Sequence, residues 1–180
     1  VHGIIFSELK KYVDAKLGPG AWSQLAANAG LGVKVYLPIR EYPDEELVAL
    51  VATASGMTGI AAQDILVDFG EFIAPSLLRM YRSLVKPEWR TLDLVENVEQ
   101  TIHTVVRIKN PGARPPELHT TRVGPREVLL TYTSARKLCS VARGIVNGVS
   151  RHYGDRIEVT ESVCMLQGAD RCELTLRQLA

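Results

Sequence analysis

One run constrains the fold of this chain more than any other: Asn110-Pro111-Gly112-Ala113-Arg114-Pro115-Pro116. Its prolines remove backbone donors and push the residues before them into extended conformations, so neither a helix nor a sheet ladder continues through it. The two sides follow different periods. Before it, apolar residues recur at helical spacing. After it, they alternate or are β-branched.

On the N-terminal side, Phe6, Leu9, Tyr12 and Val13 predict a helix that stops before Gly18-Pro19-Gly20, and Trp22, Leu25 and Ala26 predict a second, ended near Gly30. Pro43-Asp44-Glu45-Glu46 reads as an acidic helix start, with Leu47, Leu50, Val51 and Ala54 on one face up to Gly56. Residues 64–72 read as helical, with Pro75 as a break or kink, and 77–84 as a short helix. Thr91 to Arg107 is the longest well-patterned helix, with Leu94, Val95, Val98, Ile102, Val105 and Val106 apolar. Beyond the proline run, 119–122, 127–133, 156–163 and 172–176 read as strands, with a helix from Ser134 to about Tyr153 between the second and third. The expected fold class is therefore α+β. A helical N-terminal lobe, roughly 1–110, packs on a C-terminal lobe, roughly 111–180, with a four-stranded antiparallel sheet and one long helix.

Composition narrows the function classes. At 180 residues the chain suits one domain, and its formal charge of +1 argues against a polybasic nucleic-acid binder. No apolar stretch approaches the roughly 18 residues of a membrane span. The opening residues lack a basic segment followed by a long apolar core, so neither a signal peptide nor membrane insertion is expected, and the expected location is cytoplasmic. Three cysteines are too few for a disulfide scaffold.

Two features could carry chemistry. His103 lies mid-helix beside Ile102, Val105 and Val106; it is either a satisfied core histidine or, as a neutral imidazole in apolar surroundings, a ligand for a transition metal such as haem iron. Tyr132-x-Ser134-x-Arg136 stands where a strand gives way to a helix. Ser134 suits a helix N-cap; alternatively a phenol, a hydroxyl and a guanidinium converge there with the helix N-terminus to clamp carboxylates.

In order, His103, the Gly112-Ala113-Arg114-Pro115-Pro116 turn and Tyr132-x-Ser134-x-Arg136 resemble the haem nitric oxide/oxygen-binding (H-NOX) domain. His2-Gly3-Ile4-Ile5 is similar to the family's opening, and Phe69-Gly70-Glu71-Phe72 to its mid-domain helix, so the resemblance covers nearly all of 1–180. It implies a haem b sensor and not an enzyme. His103 becomes the proximal iron ligand; Tyr132, Ser134 and Arg136 hold the propionates; Pro116 presses on the porphyrin, and Ile5 packs against it. In relatives that hold O2, a tyrosine on the helix after the Tyr-x-Ser-x-Arg motif donates to the ligand; here that place is Val141, or its neighbour Ala142. With Leu9, Ile73 and Leu77 also apolar, the resemblance implies NO and CO binding with weak or no O2 binding. It further implies that NO weakens the iron bond to His103, that the freed helix relaxes strain through Pro116, and that the lobes rotate. The signalling partner is expected to be a separate protein, a histidine kinase or a cyclic-di-nucleotide enzyme by family.

Cys139, Cys164 and Cys172 have three readings: buried structural thiols, a redox cluster, or a closed zinc site. Some relatives place a histidine before the middle cysteine for zinc; here that place holds Glu161, and His152 is another candidate fourth ligand. A rival reading is a haem-free regulatory module that binds a small molecule or metal, of the vinyl-reductase-like sensor type, suggested by Cys164…Gly168…Cys172. It leaves His103 and the Tyr-x-Ser-x-Arg motif idle. A haem enzyme is disfavoured by the lack of a distal acid or base.

Overall fold

The computed structural model describes residues 1–110 and 112–180, so of the proline run Pro111 lies outside the described residues. The helical part comprises α1 (Gly3–Leu17), α2 (Ala21–Asn28), α3 (Asp44–Thr58) and α4 (Ala62–Met80), then a short 3₁₀ turn. Next comes α5 (Thr91–Asn97), a π-helical turn (Glu99–His103) and α6 (Thr104–Lys109). The strands β1 (Glu117–Gly124) and β2 (Glu127–Thr133) form a hairpin; α7 (Cys139–Tyr153) precedes β3 (Ile157–Val163) and β4 (Cys172–Gln178). All pairings are antiparallel, in the order β1-β2-β4-β3. The expected α+β class and the β-β-α-β-β order are those observed.

Three apolar clusters organise the interior. The first joins α1–α4 and takes Val141 from α7. The second lies between the sheet and α7 and includes Leu92 and Val95, so α5 packs on the sheet. A small third cluster joins Ala74 of α4 and Val149 of α7 to Trp89 and Leu94. The α4–α7 crossing is close enough to be backbone on backbone. A Cβ on Gly144 would overlap the Val67 carbonyl oxygen and stand 2.9 Å from the Gly70 Cα, and a Cβ on Gly148 would stand 2.8 Å from the Glu71 carbonyl oxygen. Here glycine is demanded by proximity, not by φ.

Four sequence expectations need correction. Pro75 does not end its helix: α4 runs through it to Met80, with Pro75 itself exposed and only its own missing donor lost from the ladder. The 77–84 helix is therefore the end of α4 plus a 3₁₀ turn. The 91–107 helix is interrupted by the π-helical turn, where His103 N–H reaches the Val98 carbonyl at 3.0 Å, and α4 is longer. Finally, α7 begins at Cys139, not Ser134, because Lys137 adopts φ 51°, a left-handed conformation that no helix interior admits. No single helix among the described residues is long and apolar enough to cross a membrane.

Candidate haem site and cysteine cluster

The histidine site is built by the π-helical turn. His103 Nδ1 lies 2.8 Å from Glu99 Oε2, and the same oxygen accepts the Leu118 N–H of β1 at 3.2 Å. Glu99 Oε1 pairs with Arg107 of α6 at 2.7 Å. Burial moves His103 below its ordinary pKa, against the pull of Glu99, so the ring is neutral at pH 7. Burial alone would raise Glu99, but its bonds to His103 and Arg107 hold it below the usual range. The Pro116 carbonyl also lies within hydrogen-bonding reach of the imidazole. Neither the π turn nor α6 contains a fully buried residue. Val98, Val105 and Val106 are half-buried and belong to none of the three clusters. Val98, Val105 and Val106 thus form half-buried apolar surface beside a neutral histidine, outside the three core clusters, which is compatible with a porphyrin.

The second group follows β2. Tyr132 is buried, and its burial pushes the phenol up to about 12, opposed by bonds from the Ser134 hydroxyl and the Leu138 N–H. Ser134 Oγ accepts the Arg136 N–H at 3.3 Å, which makes it the cap of a turn and not of α7. Of the expected group, Tyr132 meets the start of α7 at its N-cap residue Leu138. Arg136 donates Nε to Asp44 Oδ1 at 2.9 Å and Nη1 to the Arg114 carbonyl at 2.6 Å. Its Nη2 has Glu41 only at 3.9 Å, so an N–H remains for another carboxylate.

Leu9, Ile73 and Val141 are core members of the first cluster, and Ile5 and Leu77 pack against it. Ala142 instead faces the sheet cluster. Two buried phenols of the first cluster are already engaged: Tyr12 donates to Asp68 at 2.8 Å and Tyr36 to Glu46 at 2.6 Å. Sequence reasoning missed Glu99, although a carboxylate four residues before a histidine on a helix is itself a signal. It also missed Asp44 as the Arg136 partner, a contact across 92 positions that carries no local signal.

Cys139, Glu161, Cys164 and Cys172 offer ligand atoms all within 4.8 Å of one another. The Cys139 and Cys164 sulfurs are 3.9 Å apart, and the three thiols are free and buried. Burial, with Cys172 adjacent, pushes the Cys139 thiol far up. Glu161 Oε1 is buried without a hydrogen-bond partner. His152 is exposed, meets the Tyr153 ring edge to face and is no part of this cluster.

Among families, the Haem-NO-binding model matches residues 2–161. An H-NOX protein from Shewanella oneidensis, in its Fe(II)NO ligation state, superposes with a TM-score of 0.93 at 26% identity, covering 100% of both chains. The structure of an H-NOX domain from the same organism in the Fe(II)CO state gives 0.89 at 26% identity over 99% of each. Unliganded Fe(II) H-NOX from K. algicida, at 20% identity, gives 0.87 over 100% of this chain and 97% of that one, and shows the common fold. No curated protein matches the chain. The architecture is thus the two-lobed α+β fold of the H-NOX type. The chain belongs to the Haem-NO-binding family.

Proposed function

We propose that this chain is a non-catalytic haem b gas sensor that binds NO and CO, holds O2 weakly or not at all, and signals to a separate partner protein. The observation that carries the reading is the half-buried apolar surface of Val98, Val105 and Val106, outside the three core clusters, beside a neutral, half-buried His103. Ferrous haem supplies an iron position at which NO or CO binds. His103 offers its ring nitrogen to the iron. Arg136 offers its free Nη2 donor to a propionate, with the Ser134 hydroxyl and Tyr132 phenol beside it. Pro116 would lie against the porphyrin, and Ile5, Leu9, Ile73, Leu77 and Val141 would form the walls. These walls present no hydroxyl, and the nearby Tyr12 and Tyr36 phenols donate to carboxylates, which supports weak O2 binding because a bound O2 needs a donor and NO and CO need one much less.

Residues 1–180 act as one domain, with lobes of roughly 1–110 and 111–180. Displacement of the His103 run and Pro116 against the sheet is the signal. A two-state shift of this kind biases a partner by about a few kcal/mol without any catalysis. A cytoplasmic histidine kinase or cyclic-di-nucleotide enzyme is the expected class of partner.

Absorption spectra of the haem-reconstituted chain test the reading. A Soret band is expected, shifted by CO and by NO, with no oxy spectrum when the ferrous protein meets air. His103→Gly should change the ferrous unliganded spectrum. Absence of a Soret band, or an unchanged spectrum in His103→Gly, overturns the haem reading; a stable oxy spectrum overturns the ligand preference.

A second reading, for the cysteine cluster, is a closed zinc site of Cys139, Cys164, Cys172 and Glu161. Tetrahedral zinc with bonds of about 2.3 Å to sulfur spaces the sulfurs about 3.8 Å apart, close to the 3.9 Å between Cys139 and Cys164. Glu161 Oε1, buried without a hydrogen-bond partner, would be the fourth ligand. Plasma-emission analysis is expected to give one zinc per chain, falling to none in Cys172→Ser; no zinc in the unsubstituted chain overturns this reading.

A further inference from the structure

We infer that Glu99 is the positioning residue for His103: its carboxylate takes the Nδ1 proton, fixes the tautomer that presents Nε2 to iron, and strengthens the histidine–iron bond. The inference rests on the proposed role of His103 and deepens it.

The geometry is specific. Glu99 Oε2 stands 2.8 Å from Nδ1, and β1 and α6 prevent it from rotating away. The Leu118 N–H holds the same oxygen at 3.2 Å, and Arg107 holds the other at 2.7 Å. A neutral imidazole has one N–H, and an ionised carboxylate is a stronger acceptor for it than the Pro116 carbonyl. The proton therefore belongs on Nδ1, and the lone pair on Nε2. A carboxylate accepting from a metal-bound histidine makes the ring a stronger donor, and such outer partners typically change metal affinity or activity by about 10–100-fold when removed. Arg107 works against this by drawing off part of the negative charge. Leu118 lies two residues beyond Pro116, so one carboxylate also ties the His103 run to the start of the sheet.

The consequence is a sensor whose histidine is harder to release. Iron in this setting favours the ferric state more than it would beside a neutral partner, and NO must displace a stronger bond.

The test uses the haem-loaded chain and its variants Glu99→Gln, Glu99→Asp and Arg107→Gln, with His103→Gly as reference. Resonance Raman of the ferrous unliganded protein reads the iron–histidine stretch, and spectroelectrochemistry reads the reduction potential. Glu99→Gln should lower the stretching frequency, raise the potential, and speed the loss of the histidine bond after NO addition by about tenfold. Glu99→Asp should restore part of each, and Arg107→Gln should raise the frequency. A purely structural Glu99 would move melting temperature and leave frequency and potential alone; that result overturns the inference. If Glu99→Gln does not hold haem, Arg107→Gln decides, and an unmoved frequency there is equally fatal. A chain with no iron–histidine band, matched by an unchanged spectrum in His103→Gly, overturns the His103 reading itself and this inference with it.

Discussion

Replacing Gly144 by alanine tests the reasoning about the α4–α7 crossing. The added Cβ would overlap the Val67 carbonyl oxygen and stand 2.8 Å from its carbon and 2.9 Å from the Gly70 Cα, all backbone atoms without a rotamer to yield. To bring the shortest of these contacts, 2.0 Å to the Val67 carbonyl oxygen, out to ordinary contact near 3.4 Å, the backbones must shift apart by about 1.4 Å. That separation loosens Ile73, Val141 and Ile145, which pack at this seam. Overpacking of a tight core costs typically about 1–3 kcal/mol and occasionally more; a backbone clash belongs at the upper end. Against this, alanine recovers about 1 kcal/mol of helix propensity. The net loss is about 2 kcal/mol, a fall in melting temperature of about 4–8 °C for a chain of this size. Gly56 is the matched control. It lies inside α3, exposed, with no atom within 4 Å of its added Cβ and no positive φ. Gly56→Ala should therefore stabilise by about 0.4–1 kcal/mol, a rise of about 1–4 °C. Thermal unfolding followed by circular dichroism at fixed haem loading reads both. Shifts of the same sign in the two variants would refute the argument from proximity.

Other perturbations have equally definite signs. Asp155 sits beside the Arg90 guanidinium and accepts the Thr91 hydroxyl at 2.6 Å and its N–H at 3.1 Å. Burial would raise Asp155, but these partners hold it below its ordinary 3.8. Asp155→Asn should therefore destabilise by about 1.5–3 kcal/mol at pH 7. Because the folded value is depressed, the contribution is present above about pH 4 and fades as pH falls through the folded pKa, so urea midpoints of the two proteins should converge there. Val141→Tyr should add a hydroxyl to the all-apolar wall, and flash photolysis should show slower O2 loss; an unchanged rate would count against Val141 as a pocket residue. A strong chelator should lower the melting temperature of the unsubstituted chain and leave Cys172→Ser unmoved, if the cysteine cluster holds its ion.

The sequence carried most of the architecture because its local signals agree with the fold. The proline run and the apolar and β-branched residues of 127–133 and 156–163 each specify one state, and β2 is observed with its expected bounds. The failures have physical reasons. Pro75 reads as a breaker by propensity, yet nineteen residues of α4, welded to α7 by glycine contacts, outweigh one missing hydrogen bond. Ser134 looks like a cap because its side chain does cap, but the turn it serves is followed by Lys137 in a left-handed conformation. The cysteine cluster was legible as a set of residue types, and Glu161 with them. What no local pattern shows is Asp44 meeting Arg136, since that pairing exists only once the first and second halves of the chain are packed.

The π-helical turn carries one more residue than the α-helical path it replaces. In an α-helix each residue advances the direction of its side chain by about 100°. The turn at Glu99–His103 therefore sets α6 about 100° out of phase with α5, in the manner of a keyed joint in a shaft. Substitutions within the joint alter what it holds but not its phase. Deleting one residue between Val98 and His103 would restore a continuous helix and rotate everything beyond it by one step, turning Val105 and Val106 to a different side. The turn is thus a counting device: it lets α5 keep its face on the sheet while the run after it faces elsewhere, and chain length, not side-chain chemistry, keeps the two aligned.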